Sequence, residues 1–185
     1  VNCQLKMQFV PNIKDALLHL VYPHVCSGCG SDVLPANHLL CLQCLDALPL
    51  TFFEKHLHNP VTRLFTGRLL LHYATAHYYF TKESGLQHLL HRAKYKGDKD
   101  LCVYLGRLMG QGLAESSWIT EIDALVPLPL YAAREKARGY NQSYLLCQGM
   151  AEIVSKPVLN NVVIRSGATE SQTRKNRVER WQNME

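Results

Sequence analysis

The sequence points to an α/β protein whose C-terminal half holds a parallel sheet, preceded by a small module built on four cysteines. Between Ile122 and Ile164 the apolar pattern runs strand, helix, strand, and such a unit with a short return makes its two strands parallel. Two Cys-x-x-Cys motifs, Cys26-Ser-Gly-Cys29 and Cys41-Leu-Gln-Cys44, organise the N-terminal part. Where the first strand gives way to the helix lies a basic, glycine-bearing stretch, from Arg134 to Gln142.

The elements follow in chain order. Pro11 opens a short helix with Ile13, Leu17, Leu18 and Val21 on one side, and Pro23 ends it. From about Val25 to Leu48 the chain is loop-rich and organised by metal. Arg68 to Phe80 is apolar and aromatic with partial alternation, which predicts a strand or hairpin. Lys82-Glu-Ser-Gly85 turns into a helix from Leu86 to about Lys94. Lys96-Gly-Asp98 interrupts it, and Leu101 to about Glu115 forms the next, with Leu101, Leu105, Leu108 and Leu113 as its apolar side. Ile122 to Leu128 is the first strand, and the basic stretch after it is expected as a loop. Gln142 to about Val154 is an amphipathic helix, Lys156-Pro157 breaks it, and Val158 to Ile164 is the second strand. Beyond Arg165 apolar residues almost vanish, which predicts a flexible loop or a weakly held helix.

A chain of 185 residues, 47% of them hydrophobic, can bury a core and fits one or two domains. No apolar run reaches the ~20 residues that span a bilayer. The start, Val1-Asn-Cys-Gln-Leu-Lys-Met-Gln8, lacks the charged-then-apolar order of a signal peptide. A soluble, cytoplasmic protein is therefore expected. From Arg134 onward nine basic residues face five acidic ones, whereas the other 133 residues carry eleven and ten. The excess suits a polyphosphate or nucleic-acid backbone, and equally a plain solvated face.

Two Cys-x2-Cys pairs separated by eleven residues let tight turns aim four thiolates at one point, as tetrahedral zinc requires. Gly28 and Gly30 allow the backbone angles of such turns. Two disulfides would need an oxidising compartment, and a thioredoxin-like redox pair would need a βαβ context around one motif. The expected ligands are Cys26, Cys29, Cys41 and Cys44, all four filling a structural rather than catalytic zinc site. His24 and His38 stand nearby as bystanders, and Cys3, Cys102 and Cys147 are ordinary thiols.

In the basic stretch, Arg134, Lys136 and Arg138 precede Gly139, and Tyr140-Asn141-Gln142 opens the following helix. Free amides at a helix start, the helix dipole and guanidinium groups together favour a phosphate. Asn141 also suits a simple helix N-cap. Lys94 and Lys96 flank Tyr95 at a helix C-terminus, where cations are favoured by the dipole in any case. With Arg134 they are candidate contacts for an anion or DNA.

These residues resemble the ComF family, also called competence protein F or GntX-like proteins. The resemblance is carried by Pro127-Leu-Pro129, Arg138-Gly-Tyr-Asn-Gln142, the four cysteines, Lys94-Tyr-Lys-Gly-Asp98, and Gln172 with Arg177 and Arg180. It runs from about Leu17 to the last residue. It implies a type I phosphoribosyltransferase-like parallel sheet behind a zinc-ribbon-like module of four cysteines, in a protein linked to DNA uptake and DNA use. The implied regions are 1–50 for the helix and zinc module, 51–118 for a connecting hairpin and helices, and 119–185 for the start of the transferase-like domain. Arg138, Gly139, Tyr140, Asn141 and Gln142 would then receive the pyrophosphate of magnesium phosphoribosyl pyrophosphate. Gln172, Arg177 and Arg180 would lie on a flexible loop closing over it.

Phosphoribosyltransferases of this type also carry a strand ending in two acidic residues and a threonine-rich loop, which this chain lacks. Val162-Val-Ile-Arg-Ser-Gly-Ala-Thr169 imitates that loop, but Arg165 and Ser166 stand where the acids belong. The implied sheet is therefore incomplete here, the chain is expected to be truncated at its C-terminal end, and glycosyl transfer is expected of a full-length protein only. A non-enzymatic, zinc-containing protein that binds single-stranded nucleic acid is the competing reading, and a zinc-ribbon adaptor for another protein is a third. DNA-uptake proteins are further implied partners.

Overall fold

The computed structural model describes residues 24–35 and 38–165. They fall into two compact units, divided between Leu48 and Pro49. The helix expected from Pro11, the thiol of Cys3 and the residues beyond Arg165 lie outside the described residues.

In the first unit the chain turns tightly at Ser27–Cys29 and enters α1 (Leu42–Asp46) directly after Cys41. Leu40 and Cys26 are its most buried side chains.

The second unit is helical. A 3-10 turn (Phe53–Lys55) precedes α2 (Pro60–Phe65), whose Asn59 cap accepts from the amides of Val61 and Thr62. Next come α3 (Gly85–Tyr95), capped by Ser84, and α4 (Lys99–Ala114), capped by Asp98. A further 3-10 turn (Ile119–Glu121) leads to α5 (Ala132–Arg138) and α6 (Gln142–Val154). Three of these helices, α3, α4 and α6, stand close to where the apolar periodicity puts them. Among the described residues no helix is long and apolar enough to cross a membrane.

The core of this unit is the contact between α4 and α6, which meet backbone to backbone. A Cβ on Gly106 would lie 2.3 Å from the carbonyl oxygen of Leu146, and one on Gly149 would lie 2.1 Å from that of Val103. Only glycine permits that approach. Leu86, Leu89, Ala93, Leu101, Leu105 and Cys102 are among the unit's other buried side chains, with Tyr104, Tyr140 and Cys147.

The strands correct the sequence expectation. Among the described residues Ile122–Leu128 and Val158–Ile164 form no extended ladder, only an isolated parallel bridge between Leu125 and Val158. The Leu125 amide donates to Pro157 O at 2.8 Å, and the Leu159 amide donates to Leu125 O at 2.9 Å. Pro127 and Pro129 have no N–H to continue the ladder. On the other side Asn161, at φ 69°, turns the chain away. The strand or hairpin expected over Arg68–Phe80 is likewise a single bridge, antiparallel, between Tyr78 and Leu50. Its partner lies upstream, so the segment does not fold back on itself.

The basic loop expected after the first strand is instead α5. Ala132-Ala-Arg-Glu-Lys-Ala-Arg138 consists wholly of strong or moderate helix formers. Gly139, at φ 82°, ends the helix in the left-handed conformation, as a C-terminal glycine does.

Candidate functional site

The thiols of Cys26, Cys29, Cys41 and Cys44 lie within 4.8 Å of one another. Those of Cys29 and Cys41 are 3.7 Å apart, far beyond a disulfide bond, and all four cysteines are free. Zinc–sulfur bonds of about 2.3 Å in a tetrahedron separate neighbouring sulfurs by about 3.8 Å, so the cluster fits that ion. The amides of Gly28 and Cys41 point at the Cys26 sulfur from 3.4 and 3.3 Å. Burial opposes ionisation of Cys26, but the N–H groups of Cys29, Cys41 and Gly28 outweigh it and hold the thiol at about 6. Burial, followed by the neighbouring thiols, pushes Cys44 up to about 12. Four thiolates thus need a cation to coexist, and the four cysteines could hold a metal ion. Gly28 is required by space, since a Cβ there would meet the Cys44 sulfur at 2.8 Å. His24 stays outside the cluster, its Nε2 donating to His38 O at 2.7 Å.

The second unit carries a basic pocket of about 440 Å³ lined by Lys94, Tyr95, Gly97, Arg134, Ala137 and Arg138. Positions 134, 137 and 138 share one face of α5, while Lys94 and Tyr95 end α3. The junction behind them is pinned at one carbonyl. Tyr140 Oη donates to Ala93 O at 2.6 Å, and Gln142 Nε2 donates to the same oxygen at 3.3 Å. Arg92 pairs with Asp98 at 2.9 Å, and Asp98 caps α4 by accepting from Leu101 N at 3.1 Å. The Arg138 guanidinium donates to Gln142 Oε1 and lies 5.9 Å from the centre of the Tyr95 ring.

The anticipated residues thus divide by position. Lys94, Arg134 and Arg138 converge on one opening, whereas Lys96 caps α3 beside it without lining it. Tyr140 is buried and does not line the opening; its side chain holds the junction behind it through Ala93 O. Asn141 caps α6 by accepting from Ser143 N, and its Nδ2 donates to Leu128 O, both at 3.0 Å. Gly139 supplies the turn between α5 and α6. Gln172, Arg177 and Arg180 lie outside the described residues. Tyr95, 61% exposed, lines the pocket with Gly97 and Ala137, and none of the three was expected as a contact. An aromatic flanked by two lysines at a helix end was the available signal.

Known proteins add a further line of argument. No family model matches the chain, and no solved structure does. Competence protein F of Haemophilus influenzae is 26% identical over 170 residues, covering 90% of this chain and 70% of that protein. DNA utilization protein YhgH of Escherichia coli is 29% identical over 153 residues, covering 80% of this chain and 56% of that protein. This chain therefore spans little more than half of the second relative. The two alignments, with the cysteine pairs and the Arg138–Gln142 motif in one chain, support an assignment to the ComF family.

Proposed function

We propose that this chain is part of a phosphoribosyltransferase-like protein serving DNA uptake or DNA use, and that its basic pocket receives the pyrophosphate of phosphoribosyl pyrophosphate or a similar anion. The observation that carries this reading is the convergence of Lys94, Arg134 and Arg138 from two helices on one opening of about 440 Å³. Arginine and lysine together suit paired phosphoryl groups, the first as a bidentate fork and the second as a point charge. The names of the two relatives support the DNA-linked role.

In transfer chemistry the anomeric carbon would be attacked as pyrophosphate leaves. The protein's tasks are positioning, charge neutralisation and exclusion of water. Arg138 and Arg134 would neutralise the departing group, and a magnesium ion bound with it would supply further positive charge. Gln172, Arg177 and Arg180 are assigned to the closing loop. Zinc on Cys26, Cys29, Cys41 and Cys44 would be structural, and the protein would work in the cytoplasm. Transfer itself is assigned to the full-length protein. Its test is release of pyrophosphate from magnesium phosphoribosyl pyrophosphate by that protein, with loss of the activity in Arg138→Ala.

Exposed Tyr95 favours a second reading. An aromatic face beside cations is how proteins hold single-stranded nucleic acid without reading its sequence. Binding of single-stranded DNA that falls steeply with salt, in a full-length protein releasing no pyrophosphate, would select this alternative.

A further inference from the structure

A second cavity, sharing no residue with the basic pocket, lies against the α4–α6 core. It measures about 320 Å³, and its walls are mainly apolar, with Met109, Leu113, Trp118, Ile122 and Met150 among them. Two polar groups interrupt those walls without partners. Glu54 is 3% exposed, yet its Oε2 has no hydrogen-bond partner among the described residues, and neither has the Thr75 hydroxyl. Native structures rarely leave a buried carboxylate oxygen unpaired, because the loss of hydration is uncompensated.

Among the described residues no group donates to Glu54 Oε2. His77 Nδ1 lies 3.9 Å from Glu54 Oε1, the other oxygen, and burial lowers the imidazole's pKa despite the facing carboxylate. Burial thus favours the neutral form of the imidazole. Trp118 Nε1 is spent on the Glu54 backbone carbonyl at 3.0 Å. The cluster is also held in place. Thr51 N donates to His77 O at 3.1 Å, the Thr51 hydroxyl donates to Ala76 O, and Asn59 Nδ2 donates to Ala74 O at 2.7 Å. A Cβ on Gly112 would meet the His77 ring at 2.5 Å, so α4 presses directly on the pair.

We propose that this cavity is a binding site for a small aromatic amidine or amine, its ring among Met109, Trp118 and Met150 and its nitrogen cation on Glu54 and Thr75. A planar amidinium offers two parallel N–H groups to a carboxylate, which is the bidentate geometry that makes charge-assisted bonds strong. The enclosing apolar wall matches a ring and rejects a free inorganic cation.

Benzamidine is the probe, with toluene and benzoate as controls, titrated into the 185-residue protein. The readout is the Trp118 indole N–H resonance, distinguished from that of Trp181 in a Trp181→Phe background. Saturable benzamidine binding is expected, weakened at least about tenfold by Glu54→Gln and less by Thr75→Val, with benzoate inert. Benzamidine leaving the resonance unmoved, or toluene binding as tightly, would overturn the proposal. An undiminished affinity in a folded Glu54→Gln protein would do the same. The toluene comparison needs no Glu54 variant, so it decides the matter even if that variant fails to fold.

Discussion

Arg138 stands over the Tyr95 ring, 5.9 Å from its centre, while the same guanidinium donates to Gln142 Oε1. The end of α5 is thereby joined to the end of α3 and the start of α6. A guanidinium positioned this way is partly oriented before any ligand arrives, which lowers the entropy lost on binding. The pair also separates two ligand classes. In the proposed reading Arg138 would serve any phosphate, whereas the Tyr95 ring would serve only a ligand that carries a base.

Tyr95→Ala should therefore leave pyrophosphate affinity within about twofold and weaken binding of an oligothymidylate by about 1–3 kcal/mol if stacking operates. Fluorescence anisotropy of the labelled oligonucleotide at two salt concentrations, beside a pyrophosphate titration, measures both. Equal loss of the two ligands would mean that Tyr95 acts only by holding Arg138.

Removal of metal should disrupt the first unit selectively. The described residues of that unit hold little core besides Leu40, Cys26, Cys41 and Leu48. Metal analysis should give one zinc per chain, and a strong chelator should abolish the dispersed amide resonances of residues 24–48. The helices from Gly85 to Val154 should survive. Gly28→Ala should weaken zinc retention by at least about tenfold, because its methyl group displaces the Cys44 sulfur.

The α4–α6 contact should tolerate no side chain at its crossing. Gly149→Ala forces a methyl group against the Val103 carbonyl, 2.1 Å away before relaxation. A loss of about 1–3 kcal/mol or more in urea-unfolding stability is expected. A half-buried control on the same helix, Gln148→Ala, loses only the bond from Gln148 Nε2 to Tyr144 Oη and should change stability little, since alanine is the better helix former.

Stability should fall as pH drops below the ordinary histidine range. Burial holds the pKa of His77 down, the Glu54 carboxylate acting weakly in the opposite sense. Between the lowered folded value and the unfolded value of about 6.5 the unfolded chain binds the extra proton, so stability rises with pH across that window. Above it the contribution is fully present, and it is lost as pH falls through the folded value. Urea midpoints at pH 7.5 and 5.5 should differ in the wild type, and the difference should shrink in His77→Gln.

Helices α3, α4 and α6 were legible because their apolar spacing and caps are local, whereas the short α1 and α2 carry too few residues to show a period. Ser84, Asp98 and Asn141 each precede an amphipathic run and each caps it. The cysteine cluster was legible because two short spacings determine it. The extended segments were less so. Leu125 and Val158 do pair in parallel, but the prolines at 127, 129 and 157 limit the pairing to one bridge. The expected loop at 132–138 became helical because the argument weighed its charges above its alanines. Pocket membership was only partly legible: the spacing 134, 137, 138 marks a helix face only once a helix is assumed. The Glu54–His77 cluster left no trace, since its members come from separate turns joined by the Asn59 and Thr51 hydrogen bonds.

The most direct test is calorimetric titration of pyrophosphate into this protein and into its Arg134→Ala/Arg138→Ala variant. Weak, salt-sensitive binding by the unaltered protein is expected, reduced at least about tenfold in the variant. Equal affinity in both, or none in the unaltered protein, would contradict the assignment of the basic pocket to paired phosphoryl groups.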